Sequence, residues 1–450
     1  MEDANGRQIN IEFCKITTRN VLKKDWLGDQ KDKYDGSAMI CLDVTLNNQT
    51  KQTIKDNLGA VILPANFESD ECHSRSRQVV LPPGRMVVKF VITIPEAKLW
   101  WTWDHGFPHL YHLRLSYMED TLNLRFGIKD FDYDKKKGFW YLNGNKIFLR
   151  GRCCSGDWSR EELNQRIQQG INTIRLEAPY SNESIYSWCD EQGIIIWQSF
   201  SLKDYIEDEE EIISAVSESI KRQGLEITNH TSIGTWSIET SGVSSDVYFL
   251  TQVINETLKS LAPMRYLCES DILLDDISDD PEYLMLLPNV LNQNKDLGEG
   301  RKVKEQIEYL RQRKYYPVSS LYYDTQDGVD NVLTPVLISL EPSIHPYLFG
   351  TDKVFESGKT FTARVWVIND YLKDIPDTLF SWKIYDETEG RVIASNKFYL
   401  SLPPNSAEIP DHIVLPLDES LSGHACIVLL NIISSNNGLL SENTFNFNIK

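Results

Sequence analysis

The sequence predicts a chain of three parts: a β-sandwich over residues 1–127, a truncated parallel (β/α) barrel over 128–334, and a second β-sandwich over 335–450. Three observations carry this. Short alternating segments occupy the first part, among them MICLDV (Met39 to Val44) and MVVKFVITI (Met86 to Ile94), parted by turn residues such as Pro82, Pro83 and Gly84. The same style returns in TFTARVWVI (Thr360 to Ile368), LFSWKIY (Leu379 to Tyr385) and ACIVLLNI (Ala425 to Ile432). A period of two bounded by turn residues is the pattern of antiparallel sandwich strands. Between these regions the period changes to short buried strands alternating with helices, which is the grammar of a parallel α/β array.

In the middle region, INTIRL (Ile171 to Leu176) predicts a strand, Glu183 to Glu191 a helix, and GIIIWQ (Gly193 to Gln198) the next strand. An acidic run at Asp208 to Glu211 suits the positive end of a helix dipole and marks a helix start. Ser232 to Ser237 then reads as a strand, Val247 to Leu261 as a helix, and Met264 to Cys268 as a further strand.

Bulk properties exclude several classes. The 450 residues carry 46 basic and 65 acidic side chains, a net charge of −19, and no dense Lys/Arg stripe. Nucleic acid and anionic membrane are therefore excluded as expected partners. No window approaches the roughly 20 apolar residues of a membrane span, and the first thirty residues lack a signal-peptide core. The chain as it stands reads as cytoplasmic; an upstream export segment would make it exported. Cys14, Cys41, Cys72, Cys153, Cys154, Cys189, Cys268 and Cys426 show no CxxC and no zinc-type spacing, so they read as reduced, mostly buried thiols. The adjacent Cys153 and Cys154 read as packing at a strand end. No metal or cofactor is expected. Four sequons, at Asn48, Asn182, Asn229 and Asn255, carry little weight in a chain rich in Asn and Ser.

Three ordered stretches resemble glycoside hydrolase family 2, the family of β-galactosidases, β-glucuronidases and β-mannosidases. LWWTWDHGFPHLYHLRL (Leu99 to Leu115) is similar to the last strands of that family's immunoglobulin-like domain. LRFGIKDFDYDKKKGFWYLNGNKIFLRG (Leu124 to Gly151) resembles its FGxRxF and LNGxxxxLRG segments leading to the first barrel strand. GINTIRLEAPYSNESIYSWCDEQGIIIWQSF (Gly170 to Phe200) resembles its GxNxxR and DExGxxxWxxF motifs. Beyond these three, the final sandwich, with FESGKTFTARVWVIND (Phe355 to Asp370), also resembles the family's domain behind the barrel. The resemblance implies an immunoglobulin-like sandwich, a TIM-type barrel and a β-glycosidase ancestry. The family's sugar-binding jelly roll is expected to be missing ahead of the first sandwich, since Arg7 already resembles the start of the immunoglobulin-like domain; either it is lost or this chain is the downstream part of something longer.

A retaining glycosidase needs two carboxylates about 5 to 5.5 Å apart, one a protonated acid and one an ionised nucleophile. The resemblance puts the acid in a WSxGNE-like loop after the fourth barrel strand. In this chain the segment reads Trp236-Ser237-Ile238-Glu239-Thr240-Ser241, so a serine stands at the acid position. Glu239 lies two residues earlier, about 6 to 7 Å along an extended backbone.

The nucleophile lacks a family-like context as well. About 65 residues separate Asp271 from Pro335, whereas three more strand–helix pairs need roughly 90 at typical barrel proportions. Lys302 to Asp324 resembles the family's last helix and strand, which leaves Asp271 to Arg301, a loop-like run, for everything between. Glu269 and Glu299 are the nearby carboxylates.

The candidate catalytic residues are thus Glu239 and Glu269. Candidate sugar contacts are Trp158, Trp197 and Trp236 as stacking faces, with Arg175 and Asp157 for hydroxyls; each also reads as an ordinary core or structural residue. Three functions stay open: a degenerate family member keeping a carbohydrate-binding cleft, an active retaining β-glycosidase with a rearranged site, and a subunit of a split glycosidase. In the last, a partner chain or second copy covers the open barrel.

Overall fold

The computed structural model describes residues 8–23, 34–134, 139–154, 158–177, 184–201, 210–239, 254, 256–260, 266–269, 298–313, 321–323, 332–343, 350–436 and 438–450. The chain gathers into two compact units. The first takes Met1–Tyr133, Tyr141–Asn145 and Arg175–Ile272; the second takes Asp134–Trp140, Lys146–Ile174 and Leu273–Lys450.

The first unit opens with a sandwich of β1 (Ile9–Leu22), β2 (Tyr34–Asn48), β3 (Ile54–Pro64), β4 (His73–Leu81), β5 (Gly84–Ile94), β6 (Tyr111–Tyr117) and β7 (Asp120–Phe126). Its sheets run β1-β2-β5 and β4-β3-β6-β7, antiparallel throughout. The alternation seen in the sequence is the cause. In β5, Val88, Phe90, Ile92 and Ile94 are buried while Val87, Lys89 and Val91 face outward. The buried set meets Ile40, Leu42, Val44 and Leu46 of β2 in one core. Each such side chain contributes about 1.5 to 3 kcal/mol on burial. The open edge of β5 is covered from the other sheet, because Arg75 and Arg77 of β4 donate to the carbonyls of Val91 and Lys89. That occupies acceptors which would otherwise pair with another chain.

Three short strands follow: β8 (Phe131–Asp134), β9 (Phe139–Leu142) and β10 (Asn145–Ile147). β9 turns into β10 through Asn143 and Gly144, at φ 50° and 79°. An Asn-Gly pair with both φ positive is the two-residue hairpin that matches strand twist.

The α/β elements are β11 (Gly151–Cys154), α1 (Arg160–Gln168), β12 (Thr173–Glu177), α2 (Ser184–Gln192), β13 (Ile195–Ser201), α3 (Glu210–Ile227), β14 (Ile233–Glu239), β15 (Tyr266–Glu269), α4 (Gly298–Gln312) and β16 (Leu321–Tyr323). α1 begins with a capping box: Glu162 N–H donates to Ser159 Oγ, and Ser159 N–H to the Glu162 carboxylate. In the first unit β13, β14 and β15 pair in parallel. In the second, β16 pairs in parallel with β11, Gly151 opposite Leu321 and Cys153 opposite Tyr323. The last described strand of the region thus lies beside its first. Residues 270–297, on which the expected truncation of the barrel turns, lie outside the described residues, as do Asn182 and Asn255.

The second unit ends in a sandwich of β17 (Val336–Pro342), β18 (Val354–Phe355), β19 (Thr360–Asn369), β20 (Ile375–Asp386), β21 (Arg391–Leu402), β22 (Ser406–Pro416), β23 (Ala425–Ser434) and β24 (Gly438–Ile449). One sheet runs β17-β19-β22 and the other β18-β24-β23-β20-β21. Phe355, Phe361 and Phe447 cluster in its core, the last two stacked with centroids 4.7 Å apart. Among the described residues no helix is long and apolar enough to cross a membrane.

Candidate functional site

The motif residues that stand out in the sequence turn out to be joints. In the first unit, Trp100 Nε1 donates to the Asp190 carbonyl at 2.8 Å, and Asn143 Nδ2 to the Trp100 carbonyl at 2.9 Å. Asn143 Oδ1 accepts from Asp130 N–H at 2.9 Å. Gly193, at φ 71°, lies against Trp101 and Trp103, where a Cβ would come within 2.7 Å of backbone atoms. Only glycine fits there. Asn229 clamps the sandwich edge, its Nδ2 donating to the Cys14 carbonyl at 2.7 Å and its Oδ1 accepting from Ile16 N–H at 2.9 Å. These contacts fix β13 and β14 against the sandwich.

In the second unit the LRG, GxN and VIND stretches meet. Arg150 N–H donates to Asn172 Oδ1 at 2.8 Å and Arg150 Nε to the Gly170 carbonyl at 2.9 Å. Asp370 Oδ2 receives Arg311 Nη2 at 2.8 Å and Arg150 Nη1 at 3.3 Å. All three charged side chains are at most 3% exposed. Burial makes this pairing compulsory, since an unpaired charge there costs several kcal/mol.

The strand-end site is built in the first unit on an unusually polar interior. Arg175, Gln198, Ser199, Thr235 and Ser237 are all buried on β12, β13 and β14, and buried polar groups need partners. Arg175 Nη2 donates to Ser199 Oγ at 3.3 Å and Trp197 Nε1 to Ser237 Oγ at 2.9 Å. Ser199 and Ser237 are register partners, so these four side chains share one face. Gln198 pairs in register with Trp236 on the other face. There Tyr186 OH of α2 donates to Gln198 Oε1 at 2.7 Å, and Trp236 meets Phe200 edge-on at 6.1 Å.

The structure thus brings Arg175 and Trp197 together and sets Trp236, 1% exposed, on the helix-facing side. Trp158 belongs to the second unit, where the Arg166 guanidinium lies 6.0 Å over its ring. Asp157, Thr240 and Ser241 lie outside the described residues. Glu239 is the last residue of β14, opposite Ser201 of β13, and Glu269 the last of β15, opposite Ile238. The two glutamates end adjacent strands one register position apart. Glu299 lies in the first turn of α4, in the second unit.

Ser199, Ser237, Gln198 and Tyr186 are absent from the sequence-derived set. Hydroxyl and amide side chains inside a short apolar run carry no spacing signal; only the neighbouring strand reveals their face. The same holds for the pair Asp190 and His230, whose carboxylate and Nδ1 are 2.7 Å apart. Asp190 also accepts the Ser232 N–H at 2.6 Å. Among the described residues no group of three or more His, Cys, Asp or Glu side chains is arranged to hold a metal ion.

Comparison with known proteins agrees with this architecture. The model described as glycosyl hydrolases family 2 matches residues 25–129, and that described as a mannosidase Ig/CBM-like domain matches residues 362–448. A putative beta-glucuronidase of Formosa agariphila is 30% identical over 111 residues, 21% of this chain and 13% of that protein. A beta-mannosidase of Capra hircus is 25% identical over 189 residues, 35% of this chain and 21% of the relative. The matched stretches thus span a small part of these relatives' length. Among solved structures, a beta-D-mannosidase from Dictyoglomus thermophilum superposes with a TM-score of 0.69 at 16% identity, over 98% of this chain and 66% of that one. An exo-chitosanase of Amycolatopsis orientalis gives 0.63 at 12% identity, over 96% and 64%. At these identities the structural likeness speaks for the fold alone.

Proposed function

We propose that this chain, a glycoside hydrolase family 2-like protein by its two family domains and its fold, is a catalytically degenerate relative of the β-glycosidases that keeps a carbohydrate-binding cleft at the ends of β12 to β15. The observation that carries the reading is the position of Glu239. It is the last residue of β14, opposite Ser201, two positions before Ser241, which the resemblance sets at the acid position. On an extended chain that offset would be about 6 to 7 Å, longer than a hydrogen bond to a leaving oxygen tolerates. A hydroxyl of ordinary acidity cannot replace a carboxylic acid there. Arg175 supplies a cation for sugar hydroxyls and Trp197 an aromatic face for a sugar ring, the two side chains bonded to Ser199 and Ser237.

A second reading is an active retaining β-glycosidase with a rearranged site, which needs two carboxylates about 5 to 5.5 Å apart on one side of the sugar. Glu239 and Glu269 end neighbouring strands, but positions one register step apart belong to opposite faces of a sheet, so the pair does not favour this reading over the first. Nitrophenyl β-mannoside, β-glucuronide, β-galactoside and β-glucosaminide distinguish the two. The degenerate reading expects no turnover of any of them, with sugar binding weakened by Arg175→Ala. Hydrolysis that disappears in Glu239→Gln overturns it.

A further inference from the structure

A cleft of about 640 Å³ lies in the first unit, where the C-terminal half of α3 faces β7, α2 and the start of β1. Its volume is within the roughly 300 to 1,000 Å³ of small-ligand sites. It is separate from the strand-end site. α3 leads into the start of β14, whereas Glu239 closes that strand, and seven extended residues span about 20 Å.

Three properties of the lining decide what the cleft can hold. The first is charge. In a chain of net charge −19 the cleft is balanced, with Arg125, Lys221 and Arg222 against Asp190, Glu218 and Glu226. A strongly charged ligand leaves one of these sets uncompensated; a ligand that both donates and accepts at each polar group uses both.

The second is availability. Arg222 and Glu226 are exposed neighbours one helical turn apart, yet among the described residues neither makes an ion pair or side-chain hydrogen bond. Arg preceding Glu is the weaker order of an i,i+4 pair, which leaves both ends for a third partner.

The third is an apolar strip. Phe13, Leu124 and Leu225 are half-buried in the same lining. A lining that combines polar groups with a ring and aliphatic neighbours matches the mixed surface of a pyranose, with hydroxyls at its rim and C–H groups on its face. The wall behind is rigid. Asn229 is clamped to β1, Asp190 is held by Ser232 and His230, and Arg125 donates to the Ser187 carbonyl at 3.3 Å. A site held in shape before binding loses little entropy on binding.

We propose that this cleft is a non-catalytic binding site for a short neutral oligosaccharide, with Arg222 and Glu226 bonding its hydroxyls and Phe13 covering one ring face. The proposal does not depend on the strand-end site. Titration calorimetry on the intact chain tests it, with neutral β-linked di- and trisaccharides of mannose, glucose and N-acetylglucosamine beside a uronic-acid disaccharide. At least one neutral sugar is expected to bind, and Arg222→Ala, Glu226→Gln and Phe13→Ala each to weaken it about tenfold, the scale of one lost hydrogen bond or stacking contact. Arg222 and Glu226 are exposed, so their variants keep the wild-type melting curve. The cleft is refuted if no neutral sugar binds at millimolar concentration, if the uronic-acid sugar binds tenfold more tightly than the neutral ones, or if binding survives Arg222→Ala and Glu226→Gln. Binding that survives those two but is lost in Arg175→Ala places the sugar at the strand ends, which refutes the cleft and leaves the proposed function standing.

Discussion

Replacing Asp370 by Asn keeps the shape of the side chain and removes a charge that faces both Arg150 and Arg311. The two guanidinium groups lie 3.3 and 2.8 Å from its Oδ2, at 0% and 1% exposure. Water cannot reach them to compensate, so the change leaves excess positive charge in a dry interior. Breaking one partner out of such a buried set costs about 3 to 5 kcal/mol. With a urea slope of roughly 2 to 3 kcal/mol per molar for a unit of this size, the unfolding midpoint of the second unit should fall by about 1 to 2.5 M. Urea titration of the intact chain, followed by far-ultraviolet circular dichroism, reads this directly. A triple replacement by apolar residues, Arg150→Met, Arg311→Met and Asp370→Leu, should recover more than half of the loss, because the desolvation penalty leaves with the charges. An Asp370→Asn loss below about 1 kcal/mol would show that the pairing is no stronger than a solvent-exposed surface pair.

Other expectations follow from single contacts. Gly193→Ala places a Cβ at positive φ and within 2.7 Å of the Trp101 carbonyl oxygen and the Trp103 nitrogen, which should cost about 2 to 4 kcal/mol from the backbone and overpacking terms together; thermal melting of the variant checks it. Burial pushes the Cys14 thiol up to about 12, so a maleimide at pH 8 should label exposed Cys72 within minutes and leave Cys14 untouched until urea unfolds the chain. Burial also raises the pKa of Glu308 on α4, whose carboxylate accepts from Asn443 Nδ2 at 2.6 Å. A carboxyl raised in the folded state binds its proton more tightly there than in the unfolded chain. Stability therefore falls as pH rises from the ordinary glutamate value toward the folded one. Glu308→Gln keeps the acceptor, so it should stabilise the second unit at pH 7 and do so less at pH 4, measured by urea midpoints at both.

The strands were legible because their cause is local. Alternation in Met86 to Ile94 becomes the two faces of β5, and of the acidic start expected at Asp208 to Glu211, Glu210 and Glu211 open α3 while Asp208 and Glu209 lie outside the described residues. Boundaries moved where a turn intervened: the strand expected at Gly193 begins at Ile195, because Gly193 takes a positive φ and Ile194 N–H still bonds the Cys189 carbonyl of α2.

The grouping of the chain was not legible. Arg175–Ile272 gathers with the first sandwich through contacts such as Trp100 to Asp190 and Asn229 to β1, which join residues far apart in sequence. The sequons at Asn48 and Asn229 have structural occupations, Asn48 being buried and donating to the Gln52 and Leu81 carbonyls. The site was legible in its charges and tryptophans only. Arg175 and Trp197 stand out as residue types, while the serines that hold them declare themselves only through the register between β13 and β14.

Loss of the two-carboxylate machinery can be tested while bypassing the acid altogether. A 2-deoxy-2-fluoro glycosyl donor with a dinitrophenolate leaving group needs no protonation, yet it traps any nucleophilic carboxylate as a covalent ester. Mass spectrometry of the intact chain after incubation with the manno- and gluco-configured donors should show an unchanged mass. A gain of one fluoroglycosyl group, mapped by peptide sequencing to Glu239, Glu269 or Glu299, would contradict that loss and establish a working nucleophile.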